Sequence, residues 1–402
     1  MPKKWLMVLL LWFGGCLNYL SRMMPTTMHG SLIAAIPMSD AQFGLLTSGF
    51  LWSYGLLNPI AGYISDRYRR SAVIVVSMLV WSVATCLTAF AHTFDQLLLT
   101  RILVGISEAS FFPAGLALVA DYHDSSTRSF ATGLFMSGAT VGAALGGLGG
   151  WLAERQGWNK AFLVIGGLNL IYGVVLIFLL RDAPRRLATS AASVVIRESV
   201  HLGKAMASLF RSRSYRLAFC AWGLCSAIGW VVAGWMPTYL AEHFALGQGA
   251  AGFSSTGFTF SADLVGLLIG GAWADRWSRR FPRARLWVPI IGICAATPAL
   301  MGTALTGVFS VAVFGLIVFG ISGGFSDSNT MPILCLVSDP RFRATSYGVL
   351  NMASTVLGGL AIVLVGALRD WRVSLSEILV VTAGAQIIGA LFLFPIKLEQ
   401  VE

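Results

Sequence analysis

The sequence predicts an all-α membrane protein with twelve transmembrane helices in two six-helix halves. Of its 402 residues, 56% are hydrophobic and only 11% are charged, whereas soluble domains carry about 25% charged residues. Apolar runs of about 20 residues, the length that a helix needs to cross the bilayer core, follow one another along the whole chain. One long polar segment separates six of these runs from the other six. The bilayer is therefore the expected solvent of this chain.

The spans are predicted in order from the apolar runs and the short polar breaks between them. They cover 5–30, 43–63, 71–91, 95–119, 130–152, 161–180, 216–240, 251–273, 286–306, 308–337, 344–368 and 374–396. The domain organisation follows as an N-terminal bundle at 1–180, a cytoplasmic linker at 181–215 and a C-terminal bundle at 216–402. The linker carries Pro184 and much of the chain's consecutive charge.

The basic residues predict how the helices are oriented. With Lys3 in the cytoplasm, nearly all loop Lys and Arg residues fall on that side, and the exceptions are Arg155, Lys160, Arg369 and Arg372. This is the bias of the positive-inside rule, so both termini are predicted to be cytoplasmic. The net charge of +10 is then explained without nucleic acid as a partner. No Asn-x-Ser/Thr sequon occurs, which favours a bacterial inner membrane.

Several classes of protein are excluded by what the sequence lacks. All six cysteines fall inside predicted spans, so we expect neither a disulfide framework nor a metal site, and no cofactor. The sequence shows no nucleotide-binding loop and no constellation of nucleophile and base. The chain is therefore predicted to be neither an enzyme nor an ATP-driven pump. Secondary transport by a monomer is the expectation that remains.

A short polar loop occurs in both halves. Gly62, Asp66, Arg67 and Arg70 follow the second span, and Gly271, Asp275, Arg276 and Arg279 follow the eighth at the same spacing. A glycine allows close helix approach, and arginines in the inner interface can pair with an acid at a helix end. One interpretation is a topology signal alone. Repetition at equivalent places favours the alternative, a gating element shared by the halves.

These loops resemble the signature loop of the major facilitator superfamily. The resemblance implies the major facilitator fold and transport by alternating access, in which two halves rock about a central site near the membrane midplane. It assigns a gating role to Gly62, Asp66, Arg67, Arg70, Asp275 and Arg276.

Three charged residues lie well inside predicted spans of the N-terminal half, away from the span ends. Arg22 is in the first span, and Arg101 and Glu108 are in the fourth. A charge at the bilayer centre costs about 3 kcal/mol, so each is a functional hypothesis by default. Arg101 and Glu108 share a helix face at about 10 Å of rise. They could form a structural ion pair, or Arg22 could sit between them.

Two arginines and one carboxylate carry a net positive charge, which favours an anionic substrate. A guanidinium group matches the geometry of a carboxylate or phosphate.

The same region resembles the anion:cation symporter family, which includes bacterial sugar-acid carriers and the lysosomal exporter sialin. The resemblance implies that Arg22, Tyr19 and Tyr54 contact the substrate carboxylate and that Arg101 and Glu108 couple protons. Ser21 stands where the bacterial members usually have an aspartate, so we expect one proton per cycle or a different stoichiometry. The matching residues are Asn18, Tyr19, Arg22, Ser39, Asp40, Phe43, Gly44, Leu45, Leu46, Tyr54, Arg101, Gly105, Glu108, Phe112, Pro113 and Asn351.

The other spans contain residues whose pattern indicates a function less strongly. Asp263 and Asp327 in the C-terminal half are embedded acids that could serve as cation sites, proton sites or structural hydrogen-bonding groups. Ser326 and Asn351 could bind hydroxyl groups of a polyol or sugar acid, and both are predicted to contact substrate. The fifth-span glycines, including Gly138 and Gly142, are explained by close helix packing.

The sequence therefore predicts a proton-coupled transporter that takes up a small organic anion. The alternative is an exporter or facilitator of amphipathic or cationic compounds or lysolipids, similar to the spinster group or to multidrug carriers. Arg22 discriminates between them, because a cation pump has no use for an arginine in its cavity. A receptor without flux is the third hypothesis.

Overall fold

A computed structural model of the chain describes residues 3–124, 126–183, 202–281, 283–339 and 342–396. Every regular element in these ranges is helical. Eleven helical segments are long and apolar enough to cross a membrane. The remaining predicted span, 43–63, falls in the helix Asp40–Arg67, which has 28 residues but is not among the eleven. It is less apolar because it carries Trp52, Tyr54 and Asn58 in its middle.

Among its described residues, the first half contains nine helices and one 3₁₀ turn, Met24–Thr27. The helices are α1 Lys3–Met23, α2 His29–Ala35, α3 Asp40–Arg67, α4 Arg70–Thr88, α5 Phe94–Glu108, α6 Phe111–Tyr122, α7 Arg128–Ala144, α8 Gly147–Gln156 and α9 Trp158–Leu179.

The described part of the second half contains eight helices and a π turn, Phe253–Gly257. The helices are α10 Leu202–Arg211, α11 Arg213–His243, α12 Gln248–Gly252, α13 Phe258–Ser278, α14 Ala284–Leu305, α15 Phe309–Val337, α16 Arg343–Asp370 and α17 Leu375–Leu393. Of the predicted linker 181–215, residues 184–201 lie outside the described part, and α10 with the start of α11 accounts for most of the remainder.

The chain divides into two compact units. Unit 1 contains the described residues of Met1–Arg197 together with Gly247–Phe253, and unit 2 contains those of Glu198–Leu246 and Ser254–Glu402. The predicted boundary near 216 does not anticipate that 247–253 groups with unit 1. This segment does so because its glycines pack closely, with Gly249 against Trp151 and Gly252 against Thr27.

The fourth predicted span forms two helices. The span 95–119 consists of α5 and α6, with a break at Ala109 and Ser110. Pro113 contributes to the break because it has no N–H to donate to the carbonyl of Ala109, four residues earlier, although Pro59 and Pro332 lie inside helices that continue past them. Glu108 is thereby the last residue of α5. Similarly, α1 ends at Met23, just before Pro25 in the 3₁₀ turn.

Glycines bring α1 and α7 into backbone contact. A Cβ atom at Gly138 would overlap the carbonyl oxygen of Trp12, and one at Gly142 would overlap that of Cys16. The predicted role of these glycines in close packing is confirmed. The crossing fixes α1, and with it the side chain of Arg22, against the rest of unit 1.

We expect Gly142→Val to destabilise unit 1 by about 3 kcal/mol, the upper end for overpacking, because the obstructing atoms belong to the backbone of Cys16. Gly133→Val in the same helix is the matched control, since a Cβ there meets nothing within 4 Å. Thermal unfolding of both purified variants measures the difference. Equal melting temperatures for the two variants would contradict the close crossing.

Candidate functional site: a buried ion pair in unit 1

The centre of unit 1 holds an ion pair between Arg22 of α1 and Glu108 of α5. The Arg22 Nη2 atom donates to Glu108 Oε2 at 3.2 Å. Arg22 is 4% exposed and Glu108 is 0% exposed. Asn18, one turn before Arg22, accepts a longer hydrogen bond of 3.4 Å from the same Nη2 atom through its Oδ1. Removing one partner of such a buried pair costs about 3–5 kcal/mol, because the other charge is left uncompensated.

The helix ends explain why the two charges meet. Arg22 lies in the last turn of α1, where the helix dipole favours a cation. Glu108 lies at the end of α5, where the dipole disfavours an anion. The guanidinium of Arg22 therefore compensates both the carboxylate and the negative end of α5.

Aromatic rings enclose the guanidinium of Arg22. Its Cζ atom lies 4.3 Å from the ring centre of Tyr19, 4.4 Å from that of Tyr54 and 4.9 Å from that of Phe50. Ring faces attract a cation most strongly when water is excluded. The predicted substrate residues Arg22, Tyr19 and Tyr54 are thus in one cluster, in which Phe50 was not anticipated.

Glu108 pairs with Arg22 and not with Arg101. The predicted coupling pair Arg101 and Glu108 makes no direct contact, since two helical turns separate the residues along α5. Arg101 is 3% exposed, and its Cζ atom lies 5.1 Å from the ring centre of Phe50. It makes no hydrogen bond and no ion pair with the described residues, and its Nε is buried without a partner.

Other buried polar atoms in this cluster also lack hydrogen-bond partners. Among the described residues they are Asn18 Nδ2, Arg22 Nε and Glu108 Oε1, although Asn18 and Glu108 lie close enough to interact. Buried polar groups are nearly always satisfied, so such a concentration requires an explanation. Three N–H donors, counting Arg101 Nε, and a net charge of +1 from two arginines and one carboxylate suit a small anion.

Ser21 adjoins the site and is occupied by protein contacts. Its Oγ donates to Leu17 O at 2.9 Å and accepts from Asn169 Nδ2 of α9 at 2.7 Å. Ser21 and Asn169 are both 0% exposed. Sequence reasoning missed Asn169. The signal was an amide inside the apolar span 161–180, a position that requires a hydrogen-bonding partner.

The repeated loops have different partners in the two units. In unit 1, Arg70 pairs with Asp121 and donates to Ala117 O at 2.8 Å, while Arg67 donates to Tyr63 Oη at 3.0 Å. The side chain of Asp66 lies outside the described part, and a Cβ at Gly62 would meet nothing within 4 Å. In unit 2, Asp275 pairs with Arg285 at 2.7 Å, and Arg276 is exposed. The gating role of these residues stays a prediction.

Asp182 connects the end of the first bundle to the N-terminal end of α4. It accepts hydrogen bonds from Ser71 N at 2.8 Å, Ser71 Oγ at 2.9 Å and Arg69 Nε at 3.1 Å. Burial raises the pKa of Asp182, but the hydrogen bonds from Ser71 and Arg69 outweigh burial and hold that pKa below its usual value.

We expect Asp182→Asn to lower the free energy of unfolding by about 1 kcal/mol at neutral pH, because a charged acceptor is lost. A carboxyl whose pKa is lowered by folding contributes stability above its unfolded pKa of about 3.9, and loses it as the pH falls through the folded value. The melting temperatures of wild type and variant should therefore converge below about pH 4. A constant difference across this range would contradict the assignment.

Unit 2 contains the two embedded acids and the two remaining predicted substrate residues. Asp263 of α13 and Asp327 of α15 are close enough to interact electrostatically, and neither makes an ion pair with the described residues. Ser326 and Asn351 are half-buried. Gly324 lies against the backbone of Asp263 and Leu267, which explains how α13 and α15 bring the acids together.

The helical fold, the membrane spans and the buried ion pair define a polytopic membrane transport protein. Its sequence matches the Major Facilitator Superfamily over residues 11–363, and the chain belongs to that family. It is therefore a transporter and not an enzyme.

Relatives and solved structures agree with this assignment. The chain is 26% identical over 405 residues to an MFS-type efflux pump of Mycolicibacterium smegmatis, covering 99% of this chain and 90% of the relative. It is 24% identical over 414 residues to the hexuronate transporter of Escherichia coli strain K12, covering 98% and 94%. The structure of a bacterial homolog to the human lysosomal transporter spinster has a TM-score of 0.85 at 21% identity, covering 98% of this chain and 97% of the other. The predicted fold class is confirmed.

Proposed function

We propose that this transporter takes up a small organic anion together with protons. Arg22, with Tyr19 and Tyr54 around it, binds the carboxylate of the substrate, and Glu108 carries the proton. The observation that supports this most is the buried Arg22–Glu108 ion pair. In this ion pair, the only buried carboxylate among the described residues of unit 1 is bound to the arginine that we propose binds the anion.

Coupling follows from competition for Arg22. An anion that binds Arg22 displaces Glu108 from its partner. A carboxylate left in a dry site without a cation is strongly disfavoured, so Glu108 accepts a proton instead. Anion and proton then cross together, and release of the anion lets Glu108 return to Arg22 and lose its proton.

The remaining features fit into the same cycle. Arg101 supplies additional positive charge to unit 1, and we propose Ser326 and Asn351 as further residues that contact substrate. The loops with Gly62, Asp66, Arg67, Arg70, Asp275 and Arg276 serve the gating step. The charge bias of the loops supports an inner-membrane location with both termini cytoplasmic, and we propose a monomer. A relative named as a hexuronate transporter supports a sugar acid or another carboxylate as substrate.

Uptake into proteoliposomes tests the proposal. A panel of radiolabelled sugar acids and short carboxylates is offered with and without an acid-outside pH gradient. At least one anion should accumulate only with the gradient, and a pH-sensitive dye should report proton entry when that anion is added. Accumulation of anions independent of the gradient would refute the coupling, and transport of no anion would refute the substrate class.

A second function is favoured by the acids of unit 2. Asp263 and Asp327 have no basic partner among the described residues, which suits a cationic or amphipathic cargo, as expected of an exporter or facilitator of lysolipids or cationic compounds. The relative named as an efflux pump supports this alternative. Proton-driven efflux of a lipophilic cation that survives Arg22→Ala would establish it in place of anion uptake.

A further inference from the structure

Arg101 differs from Arg22 and Glu108, because it makes no hydrogen bond and no ion pair with the described residues. It is 3% exposed, its guanidinium lies over the ring of Phe50 at 5.1 Å, and Glu108 of the same helix attracts it without direct contact. Arg22, in contrast, has a carboxylate, an amide oxygen and three aromatic rings around it. A buried guanidinium that donates no hydrogen bond indicates a ligand that supplies the acceptor.

The position of Arg101 places this ligand close to the first site. The guanidinium carbons of Arg22 and Arg101 lie 4.9 and 5.1 Å from the same ring centre of Phe50, so they are no more than 10.0 Å apart. A carboxylate held by a guanidinium fork has its carbon roughly 4 Å from the guanidinium carbon. Two acidic groups a few ångströms apart can therefore be held by the two arginines together.

The net charge of the site indicates whether the substrate carries one acidic group or two. When Glu108 is protonated, Arg22 and Arg101 leave a charge of +2 in unit 1, which a dianion neutralises and a monoanion does not. Uncompensated charge is costly in a site without water. From this geometry and charge we infer that Arg101 forms a second anion subsite, which binds the second acidic group of a short dianionic substrate such as a dicarboxylate. This inference rests on the proposed anion transport and specifies the substrate class.

Binding to the purified full-length protein tests the subsite with two matched pairs of probes. Succinate is compared with butyrate, and malonate with acetate, by ligand-induced shifts of thermal unfolding and by tryptophan fluorescence. Wild type should bind each dianion at least tenfold more tightly than its monoanion. In Arg101→Gln this ratio should fall to about one, while Arg369→Gln, which removes an arginine of unit 2, should leave it unchanged.

The stability of the ligand-free variants gives an independent measurement. Because Arg101 has no protein partner, Arg101→Gln should unfold at the wild-type temperature or above. Arg22→Gln should unfold at a lower temperature, because it leaves Glu108 unpaired. If Arg101→Gln is destabilised as much as Arg22→Gln, Arg101 has a protein partner and the inference is wrong.

Three further outcomes separate this inference from the proposed function. If monoanions bind as tightly as dianions and depend on Arg22, only the dianion subsite is refuted. If chloride alone stabilises wild type but not Arg101→Gln, and dianions show no preference, Arg101 holds an inorganic anion and the inference also fails. If no anion is bound or transported at all, the proposed function fails with it.

Discussion

An Arg22→Ala protein should lose concentrative anion uptake by a factor of about 100 or more. The substitution removes the guanidinium that binds the carboxylate and also leaves Glu108 buried without a cation. Truncating one partner of a buried charge pair costs about 2–5 kcal/mol, and 1.4 kcal/mol corresponds to a tenfold change in affinity. Initial rates of radiolabelled uptake in proteoliposomes, together with the substrate concentration for half-maximal rate, measure the loss.

The accompanying variants separate binding from folding. Arg22→Lys keeps the charge but not the planar fork, so it should fold like wild type and still transport poorly. The double variant Arg22→Gln with Glu108→Gln removes both charges, and it should regain the thermal stability that Arg22→Gln alone loses. Uptake by Arg22→Ala within a few-fold of wild type would place the anion site elsewhere.

The fold was predictable because its signals are local. Each span is a run of apolar residues long enough for the bilayer, and the turn chemistry of Pro25 and Pro113 lies in the sequence as well. Pro113 alone does not predict the break after Glu108, because Pro59 and Pro332 lie inside helices that continue past them. The helix Asp40–Arg67 gives a weaker signal, because the polar residues in its middle, among them Tyr54 beside Arg22, make it less apolar than the other spans.

The pairing within the site was not predictable in full, because it depends on contacts distant in sequence. The charges of Arg22, Arg101 and Glu108 inside spans marked all three as functional. Which arginine meets Glu108 is decided by the crossing of α1 at Gly138 and Gly142. The family resemblance pairs Glu108 with Arg101, and the sequence left open that Arg22 lies beside Glu108, which is the pairing that the tertiary packing forms. The hydrogen bond from Asn169 to Ser21 is likewise a contact between distant segments.

Glu108→Gln should abolish accumulation driven by an acid-outside pH gradient while leaving exchange of anion across the membrane. The amide has the shape of the protonated carboxyl but carries no exchangeable charge, so the variant is fixed in the state that we assign to the loaded transporter. Uptake should then stop at equal concentrations on both sides, and substrate-induced proton entry should disappear. Counterflow, in which unlabelled anion inside the vesicle drives entry of labelled anion, should persist because it needs no proton.

Two variants test whether Glu108 itself is responsible. Glu108→Asp keeps an acid but shortens the reach to Arg22 across the 3.2 Å contact, so gradient-driven uptake should fall without being lost. Asp263→Asn removes an embedded acid of unit 2, and coupling should survive it if Glu108 carries the proton. Coupled uptake that persists in Glu108→Gln and disappears in Asp263→Asn would move the proton site to unit 2, and the exchange between Glu108 and the anion on Arg22 would no longer explain transport.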